Sequence, residues 1–203
     1  QKLAKAYFNH KNKGAGKTNL ALKTHMKVQE LNTELSDILQ QCGIPVMPVH
    51  TSSIFTFTST DKPKLTGSVI IKNLIVGGVV PLLYGDMIMK PNGQFQVLSG
   101  DTIAMILAET FQSKQIVFAT DVDGVYSDVN KKTLLKNLNT TGIKKLLLSW
   151  SNYKSVDVTG DLPGKIAAIS KKPKHSTVVI TNGLKPKNIY KCLTGQPIGT
   201  VIK

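Results

Sequence analysis

The segment Gln115-Ile116-Val117-Phe118-Ala119-Thr120-Asp121-Val122-Asp123-Gly124-Val125-Tyr126 decides the fold class. In it, an apolar run of strand length is followed at once by two aspartates and a glycine. This pattern predicts a buried, central strand over residues 115–120 that ends in a polar turn. Ligands of open α/β sheets bind beyond the carboxyl ends of such strands, so the turn is a candidate binding site.

Strand and helix signals alternate along the rest of the chain. Helices are predicted at residues 18–41, 68–76, 102–111, 141–148, 164–172 and after Pro186. Strands are predicted at 44–49, 79–84, 115–120, 176–181 and 200–202, the last at a sheet edge, and a hairpin is predicted around Pro91-Asn92-Gly93. The alternation predicts an α/β protein, a three-layer α/β/α sandwich with a mainly parallel central sheet.

Length and composition exclude two classes of protein. The chain has 203 residues, of which 41% are apolar and 19% charged. It contains no apolar run of about 18 residues, which excludes a membrane-spanning protein. Cys42 and Cys192 are its only cysteines and form no CxxC pair, which excludes a disulfide scaffold. We therefore expect a cytoplasmic protein without a membrane partner.

The net charge is +14, and all 26 basic residues are lysines. Residues 131–203 hold 14 of these lysines and only two acidic residues, Asp157 and Asp161. A basic lobe predicts a polyanionic partner, either nucleic acid or a phosphorylated small molecule. Sequence-specific reading of bases depends on bidentate arginines, so we expect no nucleic-acid partner. The alternative is a lysine-rich surface that only keeps the protein in solution.

Glycine and aspartate occur together after three predicted strands and at the start of one predicted helix. The four segments are Tyr84-Gly85-Asp86, Ser99-Gly100-Asp101, the turn at 120–126, and Asp157-Val158-Thr159-Gly160-Asp161-Leu162-Pro163-Gly164-Lys165. Turn geometry alone explains either residue type in any one segment. Their recurrence at successive ends favours a ligand site.

Two of these segments precede helices and suit phosphate chemistry. Asp101 is explained as a helix N-cap, but the same helix start offers free N–H groups to a phosphate, and Gly100 allows close approach. Lys165 opposes the helix dipole at a helix start, which is a poor structural choice. Its flexible ammonium would instead suit a transferring phosphoryl group.

Two further patterns are weaker. Gly14-Ala15-Gly16-Lys17-Thr18 matches the end of a P-loop, but Lys11 stands where the first glycine belongs and no strand precedes it. The four histidines have no metal-ligand spacing, so we expect no zinc site. We therefore predict neither an NTPase P-loop nor a protein-held metal centre.

The order of the motifs resembles the amino acid kinase superfamily and, within it, the isopentenyl phosphate kinases. The resemblance covers nearly the whole chain, from Ala4 to Ile202. It rests on Tyr84-Gly85-Asp86, Ser99-Gly100-Asp101, residues 119–126, Asp157-Val158-Thr159-Gly160 with Lys165, and Gly199-Thr200-Val201-Ile202. The segment at residues 121–124 also occurs in glutamate 5-kinases and other relatives. Ser99-Gly100-Asp101 and Asp157-Val158-Thr159-Gly160 narrow the resemblance to the isopentenyl phosphate kinases.

The resemblance implies ATP-dependent phosphorylation of isopentenyl phosphate to isopentenyl diphosphate, a step of isoprenoid biosynthesis, with Mg²⁺ bridging the ATP phosphates. The implied ATP-binding residues are Thr120, Asp121, Asp123, Gly124, Tyr126, Ser127, Gly160 and Lys165. Ser99, Gly100 and Asp101 are implied to bind the acceptor, and the implied catalytic residues are Lys165 and Asp101. The apolar tail of the acceptor is expected to pack against Met26, Leu31 and residues 54–57. A place in the protein core explains the apolar character of these residues equally well.

Two alternatives stay open. One is another kinase of the superfamily, acting on UMP, glutamate or fosfomycin. The other is a non-catalytic nucleotide- or RNA-binding derivative of the fold.

The resemblance also implies an acceptor-side lobe at 1–112, a nucleotide-binding lobe at 113–203, and a homodimer. Family members begin with a strand that carries a lysine and a glycine pair, followed by a glycine-rich loop ending in histidine. This chain shows neither motif, so we expect it to be an incomplete kinase when taken alone. Asp161 stands where the family usually has no acid, so we expect the nucleotide site to depart from the family pattern there.

Overall fold

The computed structural model describes residues 15–127, 133–151 and 162–203. The chain divides into two compact units, one ending at Ile103 and the other beginning at Ala104. The predicted site residue Gly160 and its neighbours Asp157 and Asp161 lie outside the described residues. The lobes at 1–112 and 113–203 stay a prediction.

The first unit consists of one long helix, short helices and paired short strands. Its elements are α1 (Ala15–Gln41), β1 (Val46–Pro48), α2 (Thr51–Ile54), β2 (Phe55–Phe57), β3 (Pro63–Leu65), α3 (Ser68–Val76), β4 (Val80–Leu82), β5 (Asp86–Met89), β6 (Phe95–Leu98) and the start of α4 (Gly100–Thr110). Strands β1 and β4 pair in parallel, whereas β2 with β3 and β5 with β6 are antiparallel pairs. The hairpin predicted at Pro91-Asn92-Gly93 is confirmed, and Gly93 adopts φ 77°, a conformation that favours glycine.

The second unit contains a four-stranded sheet with helices. Its elements are the rest of α4, β7 (Gln115–Thr120), β8 (Asn137–Leu138), α5 (Thr140–Ser151), α6 (Leu162–Ile169), β9 (Thr177–Asn182), α7 (Asn188–Leu193) and β10 (Thr200–Ile202). The strand order is β7-β9-β10-β8. Strand β7 runs parallel to β9, β10 is antiparallel to β9, and β8 is parallel to β10. The predicted α/β class is confirmed.

Two predicted strand positions are wrong. Strand β10, predicted at a sheet edge, lies between β9 and β8, and its residues Thr200 and Ile202 are fully buried. Strand β7, expected in the centre, pairs only with β9 among the described residues. Strand length and apolar character describe a strand's surroundings but do not specify its neighbours, which is why both predictions failed.

The core of the second unit lies between α6 and the sheet. Ile166 and Ile169 of α6 are fully buried, as are Val178 and Ile180 of β9, and all belong to one apolar cluster. Helix α6 therefore packs against the sheet through the face that carries Ile166 and Ile169, and Ile166 directly follows Lys165.

Helix α1 exposes much of the apolar pattern that predicts it. Leu31, Leu35 and Ile38 are 64%, 41% and 56% exposed, whereas the polar residues Asn32 and Ser36 are buried. The 3.6-residue period therefore predicted the helix correctly, but the helix turns this apolar stripe outward.

The end of α1 follows the predicted glycine. Gly43 adopts φ 77° and its N–H donates to Gln40, while the N–H of Ile44 donates to Leu39. These two bonds form the Schellman motif that glycine favours at a helix end.

The helices in the described part of the chain include none that combines the length and apolar character required to cross a membrane.

Candidate active site

The carboxyl ends of β7 and β9 bring two polar segments together. In the parallel register Thr120 is the partner of Asn182, and the Gly183 N–H donates to the Thr120 carbonyl at 2.8 Å. The Thr120 hydroxyl donates to the Val122 carbonyl at 3.0 Å and so stabilises the turn that follows. The turn predicted at 120–126 therefore lies beside the segment that begins at Asn182.

Asp123 is held by two side chains from this second segment. The Asn182 amide donates to Asp123 Oδ1 at 2.9 Å, and Lys185 Nζ lies 2.7 Å from the same oxygen. The hydrogen bond from Lys185 and then that from Asn182 lower the pKa of Asp123 below its ordinary value. Asp123 is thus an ionised acceptor with a defined orientation.

Asn182 and Lys185 were not predicted as site residues. A signal for them exists, because Asn182 and Gly183 directly follow the apolar run of a predicted strand, as Asp121 does. The Asn182 side chain also accepts the Leu184 N–H at 3.0 Å, which fixes its orientation toward Asp123.

Strand β10 holds the second half of the turn. The buried Thr200 hydroxyl accepts the Val125 N–H at 2.8 Å and donates to the Leu135 carbonyl at 2.6 Å. A Cβ at Gly124, whose φ is 150°, would lie 2.5 Å from Thr200 Oγ1, so the contact requires glycine. Tyr126 and Ser127 continue the turn, and the Ser127 N–H donates to the Thr133 carbonyl at 2.9 Å.

Lys165 is the fourth residue of α6, which places it in the first turn as predicted. Its ammonium lies 4.8 Å from the centroid of the Phe118 ring. Phe118 stands two residues before Thr120 on β7, so Lys165 packs near the strand end that carries the turn. A cation over an aromatic face is a favourable contact, so Lys165 also has a structural role.

Ser99, rather than Asp101, caps helix α4. The Thr102 N–H donates to Ser99 Oγ at 3.2 Å, and the Ile103 N–H donates to the Ser99 carbonyl at 3.0 Å. Helix α4 begins at Gly100, two residues before the predicted start, so Asp101 lies inside its first turn. The interpretation of Asp101 as the N-cap is wrong, and its carboxylate instead faces the favourable end of the helix dipole.

The first unit contains a cavity of about 410 Å³ near the predicted apolar pocket. Phe55 and Thr56 line it, together with Leu22, His25, Ser52, Ser53, Thr66, Met87, Ile88, Met89 and Phe95. Met26 and Leu31, predicted to share that pocket, are exposed and do not line this cavity.

The residues that the structure describes include no group of three His, Cys, Asp or Glu side chains placed to hold a metal ion.

The model of the amino acid kinase family matches residues 2–182. This chain belongs to the amino acid kinase family.

Among members of the amino acid kinase family, two curated relatives are isopentenyl phosphate kinases. The enzyme of Methanocaldococcus jannaschii is 35% identical over 175 residues, which cover 86% of this chain and 64% of that enzyme. The enzyme of Thermoplasma acidophilum is 32% identical over 185 residues, covering 88% of this chain and 70% of the relative. The chain therefore spans about two thirds of the length of these relatives.

A solved structure carries the same fold. The crystal structure of the isopentenyl phosphate kinase substrate complex has a TM-score of 0.73 and 23% identity, covering 100% of this chain and 79% of its own. This similarity confirms the amino acid kinase fold predicted from the motifs.

Proposed function

We propose that this protein transfers the γ-phosphoryl group of ATP to isopentenyl phosphate and forms isopentenyl diphosphate. The observation that carries the proposal is the 35% identity, over 175 residues, to the isopentenyl phosphate kinase of M. jannaschii. The local geometry of the Asp-Gly turn after β7 and of the helix start at Gly100 supports it.

The nucleotide side of the proposed site is the edge formed by the ends of β7 and β9. It comprises Thr120, Asp121, Asp123, Gly124, Tyr126 and Ser127, together with Lys165. Gly160 lies outside the described residues, and its role in ATP binding stays a prediction. We add Asn182 and Lys185, because both hold the Asp123 carboxylate. Lysines near this edge would attract the ATP phosphates.

The acceptor side of the proposed site is the start of α4. Gly100 is exposed and its amide lies at a helix N-terminus, where free N–H groups and the dipole favour a phosphate. Ser99 fixes this start by capping it. Asp101, in the same turn, is proposed to orient lysines and the substrate-side loop.

Transfer would require no general base, because a phosphate monoester oxygen is already anionic near neutral pH. This oxygen forms a bond to the γ-phosphorus while the bond from that phosphorus to the bridging oxygen breaks, leaving ADP. The protein then has to align the two phosphates and neutralise charge. Lys165 is proposed to neutralise the transferring group, since its ammonium is a compact charge on a flexible stem.

Mg²⁺ would neutralise phosphate charge and hold the ATP phosphates in line when bound. Since the described residues offer no three-ligand cluster, the phosphate oxygens and water would supply most of its ligands. This arrangement suits Mg²⁺, which usually keeps several waters.

A homodimer is part of the proposal. The exposed apolar residues Leu31, Leu35 and Ile38 of α1 support it, because a second copy would remove them from water. Light scattering is expected to give twice the mass of one chain. The cytoplasmic location and the absence of nucleic-acid and membrane partners stay predictions.

The proposal is tested by incubating the full-length gene product with ATP, Mg²⁺ and a panel of acceptors. Isopentenyl phosphate, UMP, glutamate and fosfomycin are compared by ³¹P NMR. We expect isopentenyl phosphate to be preferred by about 100-fold in kcat/KM, roughly 3 kcal/mol of transition-state binding. Preference for another acceptor would assign the chain to that kinase activity. ATP binding without any transfer would favour the non-catalytic alternative.

A further inference from the structure

A buried carboxylate lies next to Gly85 in the first unit, and the proposed transfer does not use it. The Asp86 side chain is fully buried. His25 Nδ1 lies 2.8 and 3.0 Å from its two oxygens, and the Met87 N–H donates to Oδ1 at 2.7 Å. Burial of a carboxylate is costly unless its oxygens are satisfied, so the contact with His25 permits this arrangement.

The His25 ring is itself oriented by its other nitrogen. The Gln29 amide nitrogen lies 2.9 Å from His25 Nε2 and 3.2 Å from His50 Nδ1. With a proton on Nδ1, His25 donates to Asp86 and accepts from Gln29, so both ring nitrogens are used. The hydrogen bonds therefore fix the ring in the orientation that reaches Asp86.

Tyr84, which precedes Gly85, is also fixed in position by hydrogen bonds. Its hydroxyl lies 2.8 Å from His50 Nδ1, and its carbonyl accepts the Thr51 hydroxyl at 2.6 Å. Burial, and then the charge of Asp86, raise the pKa of Tyr84 above its ordinary value. Both neighbours of Gly85 are thus fixed by side chains of other segments. His25 of α1 contacts Asp86, and His50 and Thr51, at the start of α2, contact Tyr84.

Gly85 packs directly on the backbone at the start of α4. A Cβ at Gly85 would lie 2.9 Å from the Gly100 nitrogen and 3.2 Å from the Leu98 carbonyl oxygen. Asp86 is also the register partner of Leu98 in the β5–β6 hairpin. A change in the position of Asp86 would therefore move backbone that touches the Gly100 amide.

We propose that His25 and Asp86 are positioning residues for the acceptor phosphate, because their pairing holds Gly85 against the Gly100 amide. This inference rests on the proposed function, in which Gly100 faces that phosphate. The pair acts through Gly85 on acceptor binding and not on the transferring group, and His25 also lines the cavity near the predicted pocket for the apolar tail.

The kinetic test compares two substitutions of His25. His25→Leu removes the donor, and we expect the KM for isopentenyl phosphate to rise on the order of tenfold, with kcat and the KM for ATP unchanged. His25→Asn keeps an amide nitrogen near the position of Nδ1 and is expected to restore most of the affinity. Ser176→Ala is the control, since it removes a 2.6 Å hydrogen bond from a buried residue of the second unit.

Three outcomes would overturn the proposal: an unchanged KM in His25→Leu, equal impairment of His25→Asn and His25→Leu, or a similar rise in KM in Ser176→Ala. If His25→Leu fails to fold, Gln29→Leu is used instead, because it removes the amide contacts to the His25 and His50 rings and leaves both members of the His25–Asp86 pair in place. A smaller rise in the same KM is expected there, and an unchanged KM counts against the proposal.

A second measurement is independent of activity. The ¹⁵N–¹H resonance of Gly100 in the ligand-free protein is expected to shift in His25→Leu and to return toward its wild-type position in His25→Asn. An unmoved Gly100 resonance would overturn the positioning role even in an active kinase. Absence of transfer to isopentenyl phosphate by the wild-type protein would instead overturn the proposed function, and the resonance would still decide whether the pair positions Gly100.

Discussion

At the scale of single residues, Lys165 is the proposed centre of phosphoryl transfer. Lys165→Ala is expected to lower kcat by on the order of 100-fold or more, because neutralisation of the transferring group is lost. The melting temperature should change by only a few degrees, since the contact with Phe118 contributes on the order of 1 kcal/mol. Steady-state kinetics and calorimetry measure the two effects. Lys171→Ala, on the exposed side beyond α6, is the matched control, and a Lys165→Ala variant with normal kcat would remove Lys165 from the mechanism.

Asp123 gives a second prediction at this scale. Its pKa is lowered in the folded protein, so the stabilisation from its contacts is complete above the ordinary carboxyl pKa and is lost as pH falls through the lowered value. Lys185→Met should raise the pKa of Asp123 toward its ordinary value, as measured by ¹³C NMR titration. Lys187→Met is the control and should leave it unchanged. An unaltered titration of Asp123 in Lys185→Met would show that Lys185 does not stabilise the carboxylate.

At the scale of elements, β10 holds the turn that follows β7. Thr200→Val keeps the shape of the side chain but leaves the Val125 N–H and the Leu135 carbonyl without their partner. Each buried group left without a hydrogen bond costs about 1–3 kcal/mol, so we expect a clear loss of unfolding free energy and weaker ATP binding. Urea unfolding and nucleotide titration measure these effects. The exposed Thr194 bonds only to carbonyls of its own helix, so Thr194→Val should change neither quantity.

At the scale of the whole molecule, we predict that the lysine excess attracts ATP more strongly than the acceptor. Residues 131–203 hold 14 lysines and two acidic residues. If these charges attract ATP, its apparent affinity should weaken markedly between low and physiological salt, where the screening length falls to about 8 Å. Calorimetric titrations of ATP and of isopentenyl phosphate at several salt concentrations provide the measurement. Equal salt dependence for both ligands would leave the lysines as a solubilising surface.

The sequence by itself determined the local elements and most of the candidate site. The predicted helix at 68–76 and the strand at 115–120 have the same bounds in the structure, because each depends on apolar spacing within one segment. The turn after Thr120 was predicted for the same local reason, whereas the helix predicted from Thr102 begins two residues earlier, at Gly100. Ser99 was proposed only as a binding residue, since several polar residues near a helix start compete for the N-cap.

Only the tertiary structure decided which distant residues meet. Asp86 pairs with His25 across 61 positions, and Asn182 reaches Asp123 across 59, distances over which no periodicity carries information. The place of β10 inside its sheet and the outward apolar stripe of α1 have the same origin. Helix and strand patterns in a sequence reflect the conformation of neighbouring residues. Strand order and side-chain pairing depend instead on how complete elements pack against each other. The energy of that packing is shared by residues far apart in the chain, so no single segment encodes it.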